Sequence, residues 1–94
     1  MNCQTIVFSD HAISQMFKRD ISVENVKQVI RSGETIAEYP NDRPLPSCLI
    51  LGYTSIRPLH VVVARKDFNG QCIVVTAYEP TQDIWEINFR TKRK

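Results

Sequence analysis

Two histidines, His11 and His60, and a tyrosine, Tyr78, are the side chains here best suited to moving protons. A neutral imidazole accepts a proton near pH 7, and a phenol donates one or orients a reacting oxygen. His60 interrupts the aliphatic run Leu59 to Arg65, where a polar side chain without a partner is costly. It is therefore either a structural histidine, bonded to Tyr78 or a carbonyl, or part of a site. His11 shares a polar helical stripe with Gln15 and Lys18, away from Ile13, Met16 and Phe17. It is either a solvated residue or one bordering a cleft between helices and sheet. No Gly-rich phosphate loop, Gly-x-Ser-x-Gly or His-Glu-x-x-His occurs, and the acidic residues are scattered. The expectation is acid–base chemistry from His, Tyr, Lys and Arg, with no metal and no cofactor. RNA cleavage suits that inventory, because the substrate's own 2′-hydroxyl is the nucleophile. A base removes its proton, a cation stabilises the phosphorane, and an acid protonates the leaving 5′-oxygen. His60 or His11 would be base or acid, Arg19, Arg65 or Lys66 the cation, and Tyr78 a positioning or acid group.

The elements that position these residues begin with a hairpin. Leu59–Arg65 and Cys72–Tyr78 are rich in β-branched residues and flank Asp67-Phe68-Asn69-Gly70-Gln71. A two-residue Asn69-Gly70 turn mixes the faces. A three-residue Phe68-Asn69-Gly70 loop, with Gly70 left-handed, pairs Asp67 with Gln71. That register segregates the faces better and is preferred. It sets Leu59, Val61 and Val63 opposite Glu79, Ala77 and Val75, and His60, Val62 and Ala64 opposite Tyr78, Thr76 and Val74. His60 and Tyr78 become neighbours on the less apolar face, while Arg65 falls on the helix-facing side and ranks below Arg19 and Lys66.

Upstream, Ile6, Val7 and Phe8 form a brief strand or pack under the first helix. Ser9 and Ser22 cap two short amphipathic helices, with Gly33 as the stop. Neither helix can bury its stripe on the other alone, so both need a sheet. Strands are expected over 34–39 and 48–53, then the hairpin, and Ile84–Phe89 as a final strand or edge element. The fold class is α+β: two N-terminal helices, within about 9–32, on a four- to five-stranded, mostly antiparallel sheet, about 34–90. A basic tail follows at 90–94, all within a single domain of 1–94.

Hydrophobic content of 43% with 23% charged residues is that of a globular domain. No apolar run approaches the roughly 20 residues that span a bilayer, and no basic-then-apolar leader opens the chain. The expectation is a cytoplasmic protein without membrane partners. Three widely spaced cysteines fit neither a disulfide framework nor a zinc knuckle, so Cys3, Cys48 and Cys72 are read as reduced. A net charge of +2 does not announce a nucleic-acid binder. The cations cluster, however, as Lys18-Arg19, Arg65-Lys66 and Arg90, Lys92, Arg93, Lys94. They are either solvated or phosphate-contacting, and Lys18, Lys66, Arg90, Lys92 and Arg93 are the candidate RNA contacts.

Phe8-Ser9-x-His11-Ala12, Arg19-x-Ile21, Gly33-Glu34-x-Ile36-x-x-Tyr39-Pro40, Leu59-His60-Val61-Val62, Thr76-Ala77-Tyr78-x-Pro80 and Trp85 resemble the domain-of-unknown-function 4258 family. The resemblance runs from Phe8 to about Phe89. Families of this shape look related to the RelE, barnase, EndoU and colicin nuclease group. That likeness implies one or two N-terminal helices on a four-stranded antiparallel sheet. It also implies an RNA-cleaving toxin, acting on mRNA free or on the ribosome, paired with a small antitoxin bearing a zinc ribbon. The matching positions are His11, Arg19, His60 and Tyr78. Two other readings stand beside it: a catalytically silent protein-interaction module, and a nucleic-acid binder that does not cleave.

Overall fold

The computed structural model describes residues 1–66 and 70–94. Among these residues five strands and two helices follow in the order β1 (Thr5–Phe8), α1 (Asp10–Lys18), α2 (Val23–Ser32), β2 (Glu34–Tyr39), β3 (Ser47–Tyr53), β4 (Pro58–Lys66) and β5 (Gln71–Tyr78). They build one sheet in the order β1-β5-β4-β3-β2. β1 runs parallel to β5, and the other pairs are antiparallel. The fold is thus α+β, with a fifth strand donated by the N-terminal lead-in. Among the described residues no helix is long and apolar enough to cross a membrane.

Both helices start on the expected serines. Ser9 Oγ accepts from the Ala12 N–H at 3.0 Å, and Ser22 Oγ from that of Asn25 at 3.1 Å. α1 closes with a Schellman pair, the Ile21 N–H donating to the Met16 carbonyl and that of Asp20 to Phe17, which puts Asp20 at φ 57°. α2 ends at Gly33 for a different reason. Its φ is −77°, but a Cβ there would lie 2.4 Å from the Val29 carbonyl oxygen. Ala12, Met16, Val26, Val29 and Ile30 from the helices meet Ile50, Leu59, Val61, Val63, Cys72, Val74 and Ala77 from the sheet in one core.

The hairpin differs from the expected register in one half. His60 pairs with Tyr78 and Val62 with Thr76, but a bulge at Val75 then sets Val63 opposite Val74, Ala64 opposite Ile73 and Lys66 opposite Gln71. The extra residue sends Val74 and Cys72, rather than Val75 and Ile73, into the helix-facing core, and leaves Val75 38% exposed. The expected partner of Gln71, Asp67, is overturned, because Gln71 pairs with Lys66. Of the expected Phe68-Asn69-Gly70 loop only Gly70 lies within the described residues, left-handed at φ 67°.

Two further expectations are corrected. Residues 84–89 form no strand, and the sheet ends at Tyr78. The segment from Glu79 onward crosses the face opposite the helices as an irregular strap. It turns on bonds from the Ile84 and Trp85 N–H groups to the Thr81 carbonyl, with a single bridge between Trp85 and Lys92. Alternation of Trp85, Ile87 and Phe89 misleads because only Trp85 is buried, while Ile87 is 76% exposed. The cysteines are not all reduced either. Parallel pairing of β1 with β5 brings Cys3 to within 5.7 Å (Cα–Cα) of Cys72, and the two are joined as a disulfide. Cys48 is a free, buried thiol whose pKa is pushed up by burial and by the neighbouring Glu38 carboxylate. The cross-link closes a loop of 69 residues. Replacing both Cys3 and Cys72 with Ala is therefore expected to lower stability by about 2–5 kcal/mol. Chemical denaturation of wild type and variant, without reductant, checks this.

Candidate active site

His60 and Tyr78 face each other across β4 and β5, on the side of the sheet away from the helices. Their rings meet edge to face at a centroid separation of 5.3 Å. The Trp85 ring, brought by the strap, stands at 4.5 Å over the imidazole. His60 is 0% exposed. With no water to reach it, both ring nitrogens must find partners inside the protein. Nε2 lies 2.6 Å from the Phe89 carbonyl oxygen, and Nδ1 lies 3.2 Å from the Tyr78 hydroxyl. A carbonyl only accepts, so Nε2 carries the hydrogen and Nδ1 of the neutral ring accepts from the tyrosine. Burial lowers the His60 pKa, and the Phe89 carbonyl works against that only in part, so the ring is neutral. Burial likewise raises the Tyr78 pKa while Arg19 opposes the rise, and the phenol keeps its proton. Phe89 is at φ 58°, outside the usual range for a residue with a side chain. That turn aims its carbonyl at the imidazole, and the Asn88 side chain supports it by accepting from the Arg90 and Thr91 N–H groups.

Tyr78 is only half-buried and lines a cleft of about 490 Å³ together with Arg19, Arg57, Glu79, Thr81 and Trp85. Each guanidinium reaches it by a local device. Arg19 follows α1 and donates from Nη1 to the Ala77 carbonyl at 2.9 Å, on the stretch of β5 that β1 leaves unpaired. Arg57 stands at the end of the β3–β4 turn, which Thr54 closes through its hydroxyl and N–H. From there Nη2 donates to the Asp20 carbonyl, and Nη1 faces the Glu79 carboxylate at 3.4 Å. A buried imidazole thus stands behind a phenol, and the phenol shares its cleft with two cations. Such a cleft suits an anionic substrate with a removable proton.

The structure brings together His60, Tyr78 and Arg19 but not the other candidates. His11 is exposed in the first turn of α1, at the opposite end of that helix from Arg19. Lys18 lies beside Arg19 and is exposed. Lys66 and Arg65 close the far end of β4, roughly 20 Å from His60 at a strand's rise per residue. Three of the C-terminal cations are engaged within the fold: Arg90 pairs with Glu34 at 2.7 Å, Arg93 with Glu86 at 3.5 Å, and Lys92 lies over the Trp85 ring. Arg57 is the residue the sequence reading missed. It sits in a turn with no periodicity to mark it, and only its closeness in sequence to His60 could have drawn notice. Among the described residues no group of three or more His, Cys, Asp or Glu is placed to hold a metal ion.

The depressed His60 pKa carries a sign for stability. As pH falls from 7 through the ordinary histidine value of 6.5, the unfolded chain binds a proton on this residue and the folded one does not. The contribution of neutral His60 is thus complete above 6.5 and is lost as pH falls toward its folded value. Urea denaturation between pH 7.5 and 5 is expected to show a slope of at most about 1.4 kcal/mol per pH unit from this residue. The slope should be absent in His60→Gln.

Residues 8–79 match the family described as Domain of unknown function (DUF4258). No curated protein and no solved structure matches the chain.

Proposed function

The chain belongs to this family of unknown function, DUF4258, and we propose that it is a metal-independent RNA endonuclease, the toxin of a toxin–antitoxin pair. The observation that carries the reading is Tyr78, whose hydroxyl is held by buried His60 and which lines a cleft with Arg19 and Arg57. With its hydrogen given to Nδ1, the phenol oxygen offers lone pairs to the cleft. It takes the proton of the substrate's 2′-hydroxyl while its own proton passes to His60. The resulting imidazolium keeps its Nε2–H bond to the Phe89 carbonyl. The 2′-oxygen attacks the adjacent phosphorus, the bond to the 5′-oxygen breaks as water protonates it, the imidazolium returns its proton through Tyr78 to the hydroxide so formed, and a 2′,3′-cyclic phosphate remains. Arg19 stabilises the charge on the phosphorane oxygens.

In this reading His60 never touches substrate; it holds the proton. Lys18 beside Arg19 extends the cationic surface along the RNA, which is mRNA free or on the ribosome. The partner is a small antitoxin, in keeping with the resemblance to the RelE and barnase group. The site of action is the cytoplasm, where thiol reductants work against the Cys3–Cys72 bond. A second reading, a silent protein-interaction module, draws on two observations. Both nitrogens of His60 are satisfied without a ligand, and Phe17 and Ile56 are 88% and 80% exposed.

Inducible expression in a bacterium, followed by inspection of total RNA, separates the two. The wild type is expected to arrest growth and fragment RNA. Tyr78→Phe, which keeps the ring and loses the relay, should reduce cleavage by about 10²–10⁴-fold. Undiminished cleavage by a folded Tyr78→Phe protein refutes the relay. Intact RNA under wild-type expression favours the interaction module.

A further inference from the structure

The Arg57 guanidinium is under-bonded for a group so little exposed. Its side chain is 19% exposed, yet among the described residues Nε is buried without an acceptor. Nη2 is committed to the Asp20 carbonyl, which fixes the plane of the group. Among the described residues Nη1 meets only Glu79 Oε1, at 3.4 Å, well beyond the roughly 2.7–2.9 Å usual for a charge-assisted bond. Glu79 is itself 47% exposed and lies in the same cleft as Tyr78 and Arg19. A carboxylate held so loosely on a fixed cation is readily displaced by a better anion.

We propose that Arg57 Nη1 is an oxyanion subsite for a phosphodiester or phosphate group, and that Glu79 occupies it as a built-in competitor until that anion displaces it. The inference rests on the cleft taking phosphate-bearing substrates and adds to that reading a second anion position beside Arg19. Two cations in one cleft match two non-bridging oxygens, or two successive phosphates of a strand. Glu79 then sets selectivity: an anion enters only if it binds Arg57 better than a half-solvated carboxylate does.

The test titrates two probes into wild type, Glu79→Gln and Glu38→Gln. One is inorganic phosphate. The other is a 2′-O-methyl oligoribonucleotide, which keeps the phosphodiesters and lacks the nucleophile. NMR follows the Arg57 guanidinium protons. Both probes should bind Glu79→Gln roughly fivefold more tightly than wild type, and phosphate should shift the Arg57 signals. Glu38→Gln removes the same charge from β2, at the opposite side of the sheet, and should leave both affinities as they are. Equal tightening in both variants, tightening for the oligonucleotide alone, or unmoved Arg57 signals overturns the proposal. Tighter phosphate binding in Glu79→Gln, with no RNA cut by wild type, keeps the subsite and removes the nuclease. RNA cleavage that depends on Tyr78, with phosphate affinity indifferent to Glu79, does the reverse.

Discussion

A sealed imidazole governs the architecture of this site. His60 lies on the sheet face away from the helices, where β-sheet alternation must place it if Leu59 and Val61 are to enter the helical core. A neutral histidine there leaves one donor and one acceptor to be satisfied, each costly if left unmade. The donor determines the path of the strap, because a carbonyl has to arrive at Nε2; Phe89 supplies it through a left-handed turn. The acceptor determines the orientation of Tyr78, whose hydroxyl is drawn toward Nδ1. Both ends of the ring therefore organise something, the strap on one side and the cleft on the other.

The cleft joins elements that are distant in sequence. Arg19 comes from the end of α1, Arg57 from the turn before β4, and Tyr78 and Glu79 from the end of β5. Asp20 links two of them: its left-handed conformation closes α1, and its carbonyl then receives Arg57. Helix termination and placement of a cation are one event.

Legibility in the sequence followed the range of the interactions. Ser9 and Ser22 were readable as caps because the bond each makes spans three residues. The His60–Tyr78 opposition was readable because alternation and a short loop nearly fix a hairpin's register. The bulge at Val75 was not, since it is chosen by which valine the helices prefer to cover. Nor was the Cys3–Cys72 pair, which depends on a parallel strand returning across the whole chain. The full burial of His60 was hidden as well. The strap that covers it carries an alternating pattern that mimics a strand, and its true contacts are one indole ring and one carbonyl. Arg57 was invisible because a turn residue gains its partners only from tertiary structure.

The placement of β1 orders the assembly of the molecule in time. Strands β2 to β5 are sequential neighbours, each antiparallel to the one before it, so they can zip up as the chain emerges. β1 is made earlier but pairs with β5, the final strand, and must wait for it. Closing so long a separation is entropically slow, and parallel pairing adds no turn to guide it. Of these five strands the earliest made must thus wait for the latest, and α1, which packs on β5 and bonds it through Arg19, cannot deliver that cation until β5 is made.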